Sequence, residues 1–199
     1  MSKPATQSEK RTALVYDDDG LGRPPWAMSS PMLKEYYDTE WGLPIFDEAA
    51  LYERLSLESF QSGLSWAVVL KKREAFRADF CGFDPEKVAQ FTETDVERLL
   101  GDASIIRNET KIRAAITNAK ATIALREEGG LAEFIWSFQP PENLYPTAME
   151  DIPKKSYESK LMSRELKKKG FRFVGPVTCF ALMEAIGMID THLIGSHRR

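Results

Sequence analysis

The chain has 199 residues, of which 43% are hydrophobic and 11% aromatic, enough to fill the core of one ample domain or two small ones. Its formal net charge of −3 lacks the basic excess common in nucleic-acid-binding domains, so any such function depends on local clusters of lysine and arginine. Two cysteines, Cys81 and Cys179, are too few for a disulfide framework and form no Cys-x-x-Cys pair, so we expect both to be reduced.

The N-terminal segment is polar and carries an acidic triplet at residues 17–19, without any hydrophobic period. We therefore expect a flexible polar tail over residues 1–20, followed by a single domain over residues 21–199. The tail lacks the apolar centre of a signal peptide, and no apolar run in the chain reaches the roughly 18 to 20 residues of a membrane-spanning helix. A cytoplasmic location is the expectation.

From residue 23 onward the hydrophobic pattern is helical almost throughout, and no stretch alternates for long enough to predict a strand. Asp47 is placed to cap a helix that Gly63 ends, and residues 64–80 read as the next helix.

Capping signals predict the remaining helices. Asp84 followed by a proline starts a short helix, and the sequence Thr-Asp-Val-Glu at 94–97 reads as the capping box of another that Gly101 ends. Asn108 caps a long amphipathic helix that the glycine pair at 129–130 closes. Further helices are predicted over 131–138, 159–169 and 176–187, with a proline-rich loop at 139–146. The fold class is all-α, with many short helices joined by tight turns.

Glu58 has an unusual position, because it follows Leu55 by three residues and so falls on the apolar face of its helix. A buried carboxylate must be paired, hydrogen-bonded or directed into a cavity. Spacing leaves two readings open, a structural ion pair and a pocket group. A pocket would need aromatic faces to stack a flat heterocycle, and the candidates are Tyr36, Trp41 and Trp66.

The segment DASIIRNETK at 102–111 is a short turn between two predicted helices. Such a turn can direct backbone N–H groups and a helix N-terminus toward a phosphate, with Lys111 and Arg113 strengthening the contact. The alternative, which the lack of glycine in the turn favours, is an ordinary antiparallel helix pair. The other lysine and arginine runs are more typical of solvated helix faces than of nucleic-acid contacts.

Several segments together resemble the bacterial DNA-3-methyladenine glycosylase I family. They run in order along the chain as EYYDTEWGLP at 35–44, LESFQSGLSWAVVLKKREAFR at 57–77, DVERLLGDASIIRNETKI at 95–112, LKKKGFRFVG at 166–175 and THLIG at 191–195. The resemblance implies a compact multi-helix domain of the helix-hairpin-helix DNA glycosylase type. It also implies an enzyme that flips 3-methyladenine out of double-stranded alkylated DNA and hydrolyses its N-glycosidic bond. Such a protein is expected to act as a monomer, without a membrane and without a redox cofactor, and to release free 3-methyladenine.

The resemblance also implies roles for individual residues. Glu58 is the candidate catalytic residue, matching a pocket glutamate that hydrogen-bonds the base edge. Trp66, Tyr36 and, with a looser match, Trp26 are the candidate base-binding aromatics. The candidate DNA-binding residues are Gly63, Leu64, Lys71, Lys72, Arg73, Ile106, Arg107 and Lys111, with Gly63 and Leu64 as an apolar wedge that probes the duplex.

The family commonly binds a structural zinc ion through two cysteines and two histidines near the chain termini. The corresponding positions here are Pro24, Tyr37, His192 and Ser196. Three of these four cannot supply the usual ligand, so we expect no zinc and no other cofactor. Packing of Tyr37, Trp26 and Pro24 against residues 189–194 is expected to hold the termini instead.

Smaller departures from the family pattern are Ser104 and Thr110 in the turn and Ser59 beside Glu58, at positions that are often glycine in relatives. Side chains in the turn could weaken its backbone contacts with phosphate. A second hypothesis is therefore a non-catalytic lesion-binding or DNA-binding protein that retains the base pocket. A third is a helical scaffold that binds neither base nor DNA, and the retained pocket residues argue against it.

Overall fold

A computed structural model of the protein describes residues 13–199, which form ten α-helices and one antiparallel ribbon of two short strands. The helices are α1 (Pro31–Thr39), α2 (Glu48–Gln61), α3 (Trp66–Lys71), α4 (Arg73–Asp79), α5 (Pro85–Val88), α6 (Glu93–Gly101), α7 (Glu109–Leu125), α8 (Gly130–Trp136), α9 (Tyr157–Lys168) and α10 (Pro176–Ala185). The all-α prediction is confirmed. Among the described residues, no helix has both the length and the apolar character needed to cross a membrane.

The two strands, β1 (Val15–Tyr16) and β2 (Gly22–Arg23), were not predicted, because a pair of two-residue strands leaves no alternating pattern. Of the tail expected over residues 1–20, residues 1–12 lie outside the described part of the chain. Residues 17 and 19 contact the domain, since the Asp17 carboxylate pairs with Lys34 and the Asp19 carboxylate lies 2.9 Å from the Arg23 guanidinium.

Helix α2 is the central element of the domain. The Asp47 side chain accepts a hydrogen bond from the Ala50 N–H at 2.8 Å, which confirms the predicted cap. One side of α2 packs against α7, α8 and α10. The helix ends at Gln61, and Gly63 then takes a φ of 81°, a left-handed conformation that favours glycine.

Several predicted boundaries were wrong. Residues 64–80 form two helices, because the backbone at Lys72 leaves the helical region with a φ of −100° and a ψ of 0°. The capping box before α6 uses Thr92, whose N–H donates to Asp95 at 2.8 Å, rather than residues 94–97. Helix α9 begins two residues earlier than predicted, because Ser156 caps it. The last two errors have a local cause, since several polar residues compete for each cap position.

The main hydrophobic core lies around α2, α7 and α10. Part of it is a cluster of fully buried phenylalanines, in which the ring centroids of Phe60 and Phe76 are 4.5 Å apart and those of Phe80 and Phe83 are 5.5 Å apart. Each buried ring stabilises the fold by about 1.5–3 kcal/mol. A smaller apolar cluster, formed by Leu33, Tyr36 and Leu70 together with several tryptophans, lies beside α3.

Candidate active site

An open cavity of about 350 Å³ lies between α1, α2, α3 and α10. Six of its lining residues are Trp26, Tyr36, Tyr37, Trp41, Glu58 and Trp66. The structure therefore brings together Glu58 and the three aromatics that the sequence predicted for the base pocket. Its volume lies in the usual range for small-molecule sites.

The Glu58 side chain is buried in the wall of this cavity, with only 5% of its surface exposed. Its carboxylate makes no hydrogen bond or ion pair with any residue in the described range. Arg54, one turn earlier on α2, directs its guanidinium to Glu40 and Tyr36 instead. Burial raises the pKa of Glu58 to about 7, and the positive charge of Arg54 opposes that rise. The ion-pair reading of Glu58 is thus excluded within residues 13–199, and the carboxylate faces the cavity.

Arg54 organises the wall beside Glu58. Its guanidinium carbon lies 5.3 Å from the ring centroids of both Tyr36 and Trp66. Because a guanidinium only donates hydrogen bonds, the Tyr36 hydroxyl accepts from Arg54 and keeps its own hydrogen for another acceptor. Burial raises the pKa of Tyr36, so this phenol stays neutral.

The aromatic walls are arranged to hold a flat ring. The centroids of Tyr36 and Trp66 are 5.5 Å apart with a 40° tilt, and Trp26 lies 6.5 Å from Tyr36 and 5.5 Å from Trp41. Aromatic faces near a carboxylate favour a planar cation, since both the π-clouds and the negative charge attract it.

A second carboxyl group in the cavity wall, Glu184 of α10, was not singled out from the sequence. Its Oε1 atom accepts a hydrogen bond from the Thr191 hydroxyl at 2.8 Å. Burial raises the pKa of Glu184 to about 8, and the nearby negative charge of Glu58 adds to that rise. The signal available in the sequence was a single acid in the otherwise apolar run PVTCFALMEA.

The cavity opens beside the loop that follows α2. A smaller groove connects Glu58 with Gly63, Leu64 and, on α10, Val177. Leu64 is 43% exposed and Val177 is 57% exposed, so two apolar side chains stand at the mouth. An exposed leucine at this place has the position required of a wedge beside an extruded base.

The structure divides the predicted DNA-binding cations into two groups. Lys71 and Arg107 are exposed and form no ion pair within residues 13–199. Lys72 donates to the carbonyls of residues 103 and 104 at 2.9 and 2.8 Å, and Arg73 lies 2.7 Å from the Glu40 carboxylate. Both side chains are therefore already hydrogen-bonded or ion-paired with other residues of this chain.

Lys111 also forms hydrogen bonds with other residues of this chain. It is buried, and its ammonium donates to the carbonyl oxygens of Phe60 at 2.9 Å and Ser62 at 2.6 Å. Its position in the turn suggested a phosphate contact, but the last turn of α2 supplies carbonyls that no helical N–H reaches. The ammonium satisfies them and thereby holds the start of the loop that carries Leu64.

Two helix-turn-helix units flank this loop. The predicted one joins α6 and α7 through residues 102–108, where the Asp102 carboxylate accepts a hydrogen bond from the Ser104 N–H at 2.7 Å and Ile106 is half-buried. The other joins α9 and α10 through residues 169–175 and was not predicted as a hairpin. No side chain of the described residues caps α10, whose first turn carries Val177. The second unit lies at the mouth of the cavity.

The four positions of the family zinc site converge in space, but their chemistry does not suit the ion. The Tyr37 hydroxyl hydrogen-bonds to the Ser196 hydroxyl, and the Tyr37 ring centroid lies 5.5 Å from that of His192. The Nδ1 atom of His192 lies 2.7 Å from the Asp190 carboxylate. Within residues 13–199 no three His, Cys, Asp or Glu side chains are grouped to hold a metal. One imidazole and two hydroxyls do not supply the nitrogen and thiolate ligands that zinc prefers.

Comparison with known proteins identifies the family. Residues 26–199 match the family model described as methyladenine glycosylase. The chain is 44% identical to DNA-3-methyladenine glycosylase 1 of Escherichia coli (strain K12) over 85% of this chain and 92% of that protein. It is 42% identical to DNA-3-methyladenine glycosylase of Haemophilus influenzae (strain ATCC 51907 / DSM 11121 / KW20 / Rd), over 86% of this chain and 94% of that protein.

A solved structure concerned with 3-methyladenine recognition by 3-methyladenine DNA glycosylase I from Staphylococcus aureus matches with a TM-score of 0.81. That chain is 36% identical over 85% of this chain and 92% of its own. The chain belongs to the methyladenine glycosylase family.

Proposed function

We propose that the protein is a DNA base-excision repair glycosylase that flips 3-methyladenine out of alkylated DNA and hydrolyses its N-glycosidic bond. The observation that carries the proposal is the Glu58 carboxylate, which is buried among aromatic rings, has no partner among residues 13–199 and borders an open cavity. Burying a charge in this way is costly unless a ligand completes the site. A cationic alkylated base supplies both the positive charge and the N–H donors that such a carboxylate lacks.

Base recognition divides between the carboxylate and the rings. In the ionised form, Glu58 accepts a hydrogen bond from the base edge and balances its positive charge. Trp66 and Tyr36 supply the surfaces for stacking, with Trp26 at the far side of Tyr36. Arg54 keeps the Tyr36 ring and hydroxyl in place. The base is thus selected by shape, charge and one hydrogen-bonding edge.

The bond cleavage needs little acid catalysis. An adenine methylated on N3 already carries a positive charge, so it leaves the sugar with the bonding electrons and becomes neutral without receiving a proton. Water then adds its oxygen to the electron-poor anomeric carbon and loses one proton to solvent, leaving an abasic site. The pocket contributes by extruding the lesion, orienting it and keeping it out of the stack.

Contact with the duplex is assigned to the surface around the mouth of the cavity. Leu64 is placed to enter the space that the base leaves, with Val177 beside it. Lys71 and Arg107 are the predicted phosphate contacts whose side chains remain exposed. Lys111 supports this surface indirectly, because it fixes the loop at Ser62. A single chain carries every residue that this scheme uses, so we propose that the enzyme acts as a monomer.

We also propose that the protein works without a structural zinc ion. The Tyr37 and Ser196 hydroxyls hydrogen-bond to each other where the family places metal ligands. The supporting observation is that this contact joins α1 to the C-terminal segment, as a bound metal would. Elemental analysis of purified protein tests this directly.

A base-release assay tests the activity. Wild-type protein incubated with methylated duplex DNA should release 3-methyladenine, detected by chromatography of the ethanol-soluble fraction. Glu58→Gln and Trp66→Ala should lower the single-turnover rate by about 100-fold or more, since each removes a main base contact. Glu53→Gln is the matched control, because Glu53 lies on the same helix but pairs with Arg77 away from the cavity.

The outcomes separate the hypotheses. A wild-type protein that releases no alkylated base would refute the glycosylase proposal. If it nonetheless bound free 3-methyladenine, the non-catalytic lesion-binding hypothesis would replace it. One observation favours this alternative. Lys72 and Arg73 already contact other residues of the chain, so fewer cations are available to bind phosphate.

A further inference from the structure

The wall of the cavity also carries a second carboxyl group, Glu184. Helices α2 and α10 pack against each other and place one acid each on the same cavity. The Oε1 atom of Glu184 is held by the Thr191 hydroxyl at 2.8 Å. Its other oxygen has no hydrogen-bond partner within the described residues, so it remains available to a ligand.

Two carboxyl groups in one apolar cavity do not ionise independently. Burial disfavours a charge on either group, and the negative charge of Glu58 further disfavours ionisation of Glu184. Arg54 lies one turn from Glu58 on α2 and favours the ionised form of that group. Helix α10 offers Glu184 no such cation, and burial keeps the pKa of the nearby His192 low, so the imidazole is neutral.

We therefore assign the proton to Glu184, because Arg54 favours the ionised form of Glu58 and α10 carries no comparable cation. The Thr191 hydroxyl donates to Oε1, which leaves Oε2 as the atom that carries the proton. The cavity thus presents an ionised acceptor on one wall and a neutral O–H donor on the other. Lys154, at the rim of the cavity, is the remaining charged side chain of the lining.

This arrangement is complementary to one edge of adenine. That edge presents an amino donor with an acceptor ring nitrogen on either side of it. Glu58 matches the donor, and a protonated Glu184 matches the ring nitrogen N1, which is an acceptor in adenine but carries a hydrogen in guanine. Guanine has a carbonyl oxygen where adenine has its amino group, so the ionised Glu58 would face an acceptor and lose its hydrogen bond.

We propose that Glu184 is a second base-recognition residue of the pocket, which donates a hydrogen bond to a ring nitrogen of the flipped base and helps select adenine lesions over guanine lesions. The proposal rests on the glycosylase function proposed above. It extends that function by dividing base recognition between two carboxyl groups on facing helices.

Two substitutions of Glu184 test the proposal. Glu184→Leu removes the donor at similar volume, whereas Glu184→Gln keeps a donor in its amide. The kcat/KM for 3-methyladenine release from duplex DNA should fall about tenfold in Glu184→Leu, while release of 3-methylguanine should change less. Glu184→Gln should recover most of the wild-type selectivity. Thermal unfolding by circular dichroism verifies that both variants are folded.

A parallel measurement keeps this test independent of turnover. Calorimetric titration with free 3-methyladenine should show about tenfold weaker binding to Glu184→Leu and near wild-type binding to Glu184→Gln. Equal loss for both bases, or unchanged kcat/KM and affinity in Glu184→Leu, would overturn the role of Glu184. A wild-type protein that binds the base without releasing it would refute the proposed glycosylase function and still leave the titration to decide about Glu184.

Discussion

At the scale of single residues, the site depends on a carboxylate held where it is unfavourable for folding. Glu58 is buried beside aromatic rings, and its neighbouring cation Arg54 is committed to Glu40 and Tyr36. In a structural ion pair both charges are compensated within the protein. Here the Glu58 carboxylate remains free to bind a ligand. The cost in stability is the usual consequence of a preorganised binding site.

The ionisation of Glu58 predicts the pH dependence of base release. Because burial raises its pKa to about 7, the group is protonated in acid and loses its attraction for a cationic base. The single-turnover rate should therefore rise about tenfold per pH unit up to pH 7. Rates measured from pH 5 to pH 7, below the pKa of Glu184 at about 8, check this.

Two variants support the interpretation of that profile. Glu58→Gln should be slow and nearly independent of pH in this range, whereas Glu53→Gln should keep the wild-type curve. A wild-type rate that is flat from pH 5 to pH 7 would contradict the assignment of Glu58 as the ionised base contact.

At the scale of elements, the wedge loop is supported by a lysine from another helix. Lys111 of α7 reaches the carbonyls that end α2, and Leu64 follows within the same loop. Sequence spacing placed Lys111 in a turn and suggested phosphate binding, but its partners lie 51 and 49 residues away in the chain. Only the packing of α7 against α2 brings them together.

Removal of this lysine should lower stability and activity together. Lys111→Met leaves buried carbonyls unpaired, so the free energy of unfolding should fall by about 2 kcal/mol. Base release from duplex DNA should also slow, because the loop that carries Leu64 loses its anchor. Urea unfolding and the base-release assay measure the two effects.

The matched control for that variant is Lys120→Met, since Lys120 is an exposed residue of the same helix. Lys120→Met should leave both the free energy of unfolding and the rate of base release near their wild-type values. Should Lys111→Met reduce DNA affinity and its salt dependence without any loss of stability, Lys111 would be a phosphate contact after all.

At the scale of the whole molecule, the two ends of the domain are tied by direct contacts. Arg23 makes a two-point contact with Asp38 at 2.8 Å, and the His197 ring lies 3.1 Å from the same carboxylate. The Tyr37 hydroxyl bonds Ser196 in the same region. This network joins β2, α1 and the C-terminal segment at the positions where the sequence resemblance implies a zinc site.

Loss of the Tyr37–Ser196 hydrogen bond should destabilise the domain independently of metal. Tyr37→Phe and Ser196→Ala should each reduce the free energy of unfolding by about 1 kcal/mol, and the double variant should lose little more. Tyr157→Phe, at a residue that is 74% exposed, is the control and should change nothing.

A metal chelator completes that experiment. Treatment with EDTA should leave the melting temperature of the wild type unchanged, because no ion is expected at this site. One equivalent of zinc by elemental analysis, together with a lower melting temperature after chelation, would contradict the proposal that direct contacts hold the termini without a metal ion.

The sequence by itself determined most of the helices and the unusual placement of Glu58. Caps such as Asp47 and Asn108 act within three residues of the backbone N–H they satisfy, so their effect is readable from local order. The apolar face that includes Glu58 follows from helical periodicity in the same way. The family resemblance then supplied the pocket aromatics.

Only the tertiary structure decided which partner each charged side chain takes. Arg54 pairs with Glu40 rather than Glu58, Arg73 shares that acid, and Glu184 faces the cavity from a helix 126 residues later than Glu58. Charge attraction and burial depend on distances in space, which no local pattern encodes across such separations. That is why Glu58 and the pocket aromatics were predictable, while the place of Glu184 and the division of the two carboxyl groups into acceptor and donor were not.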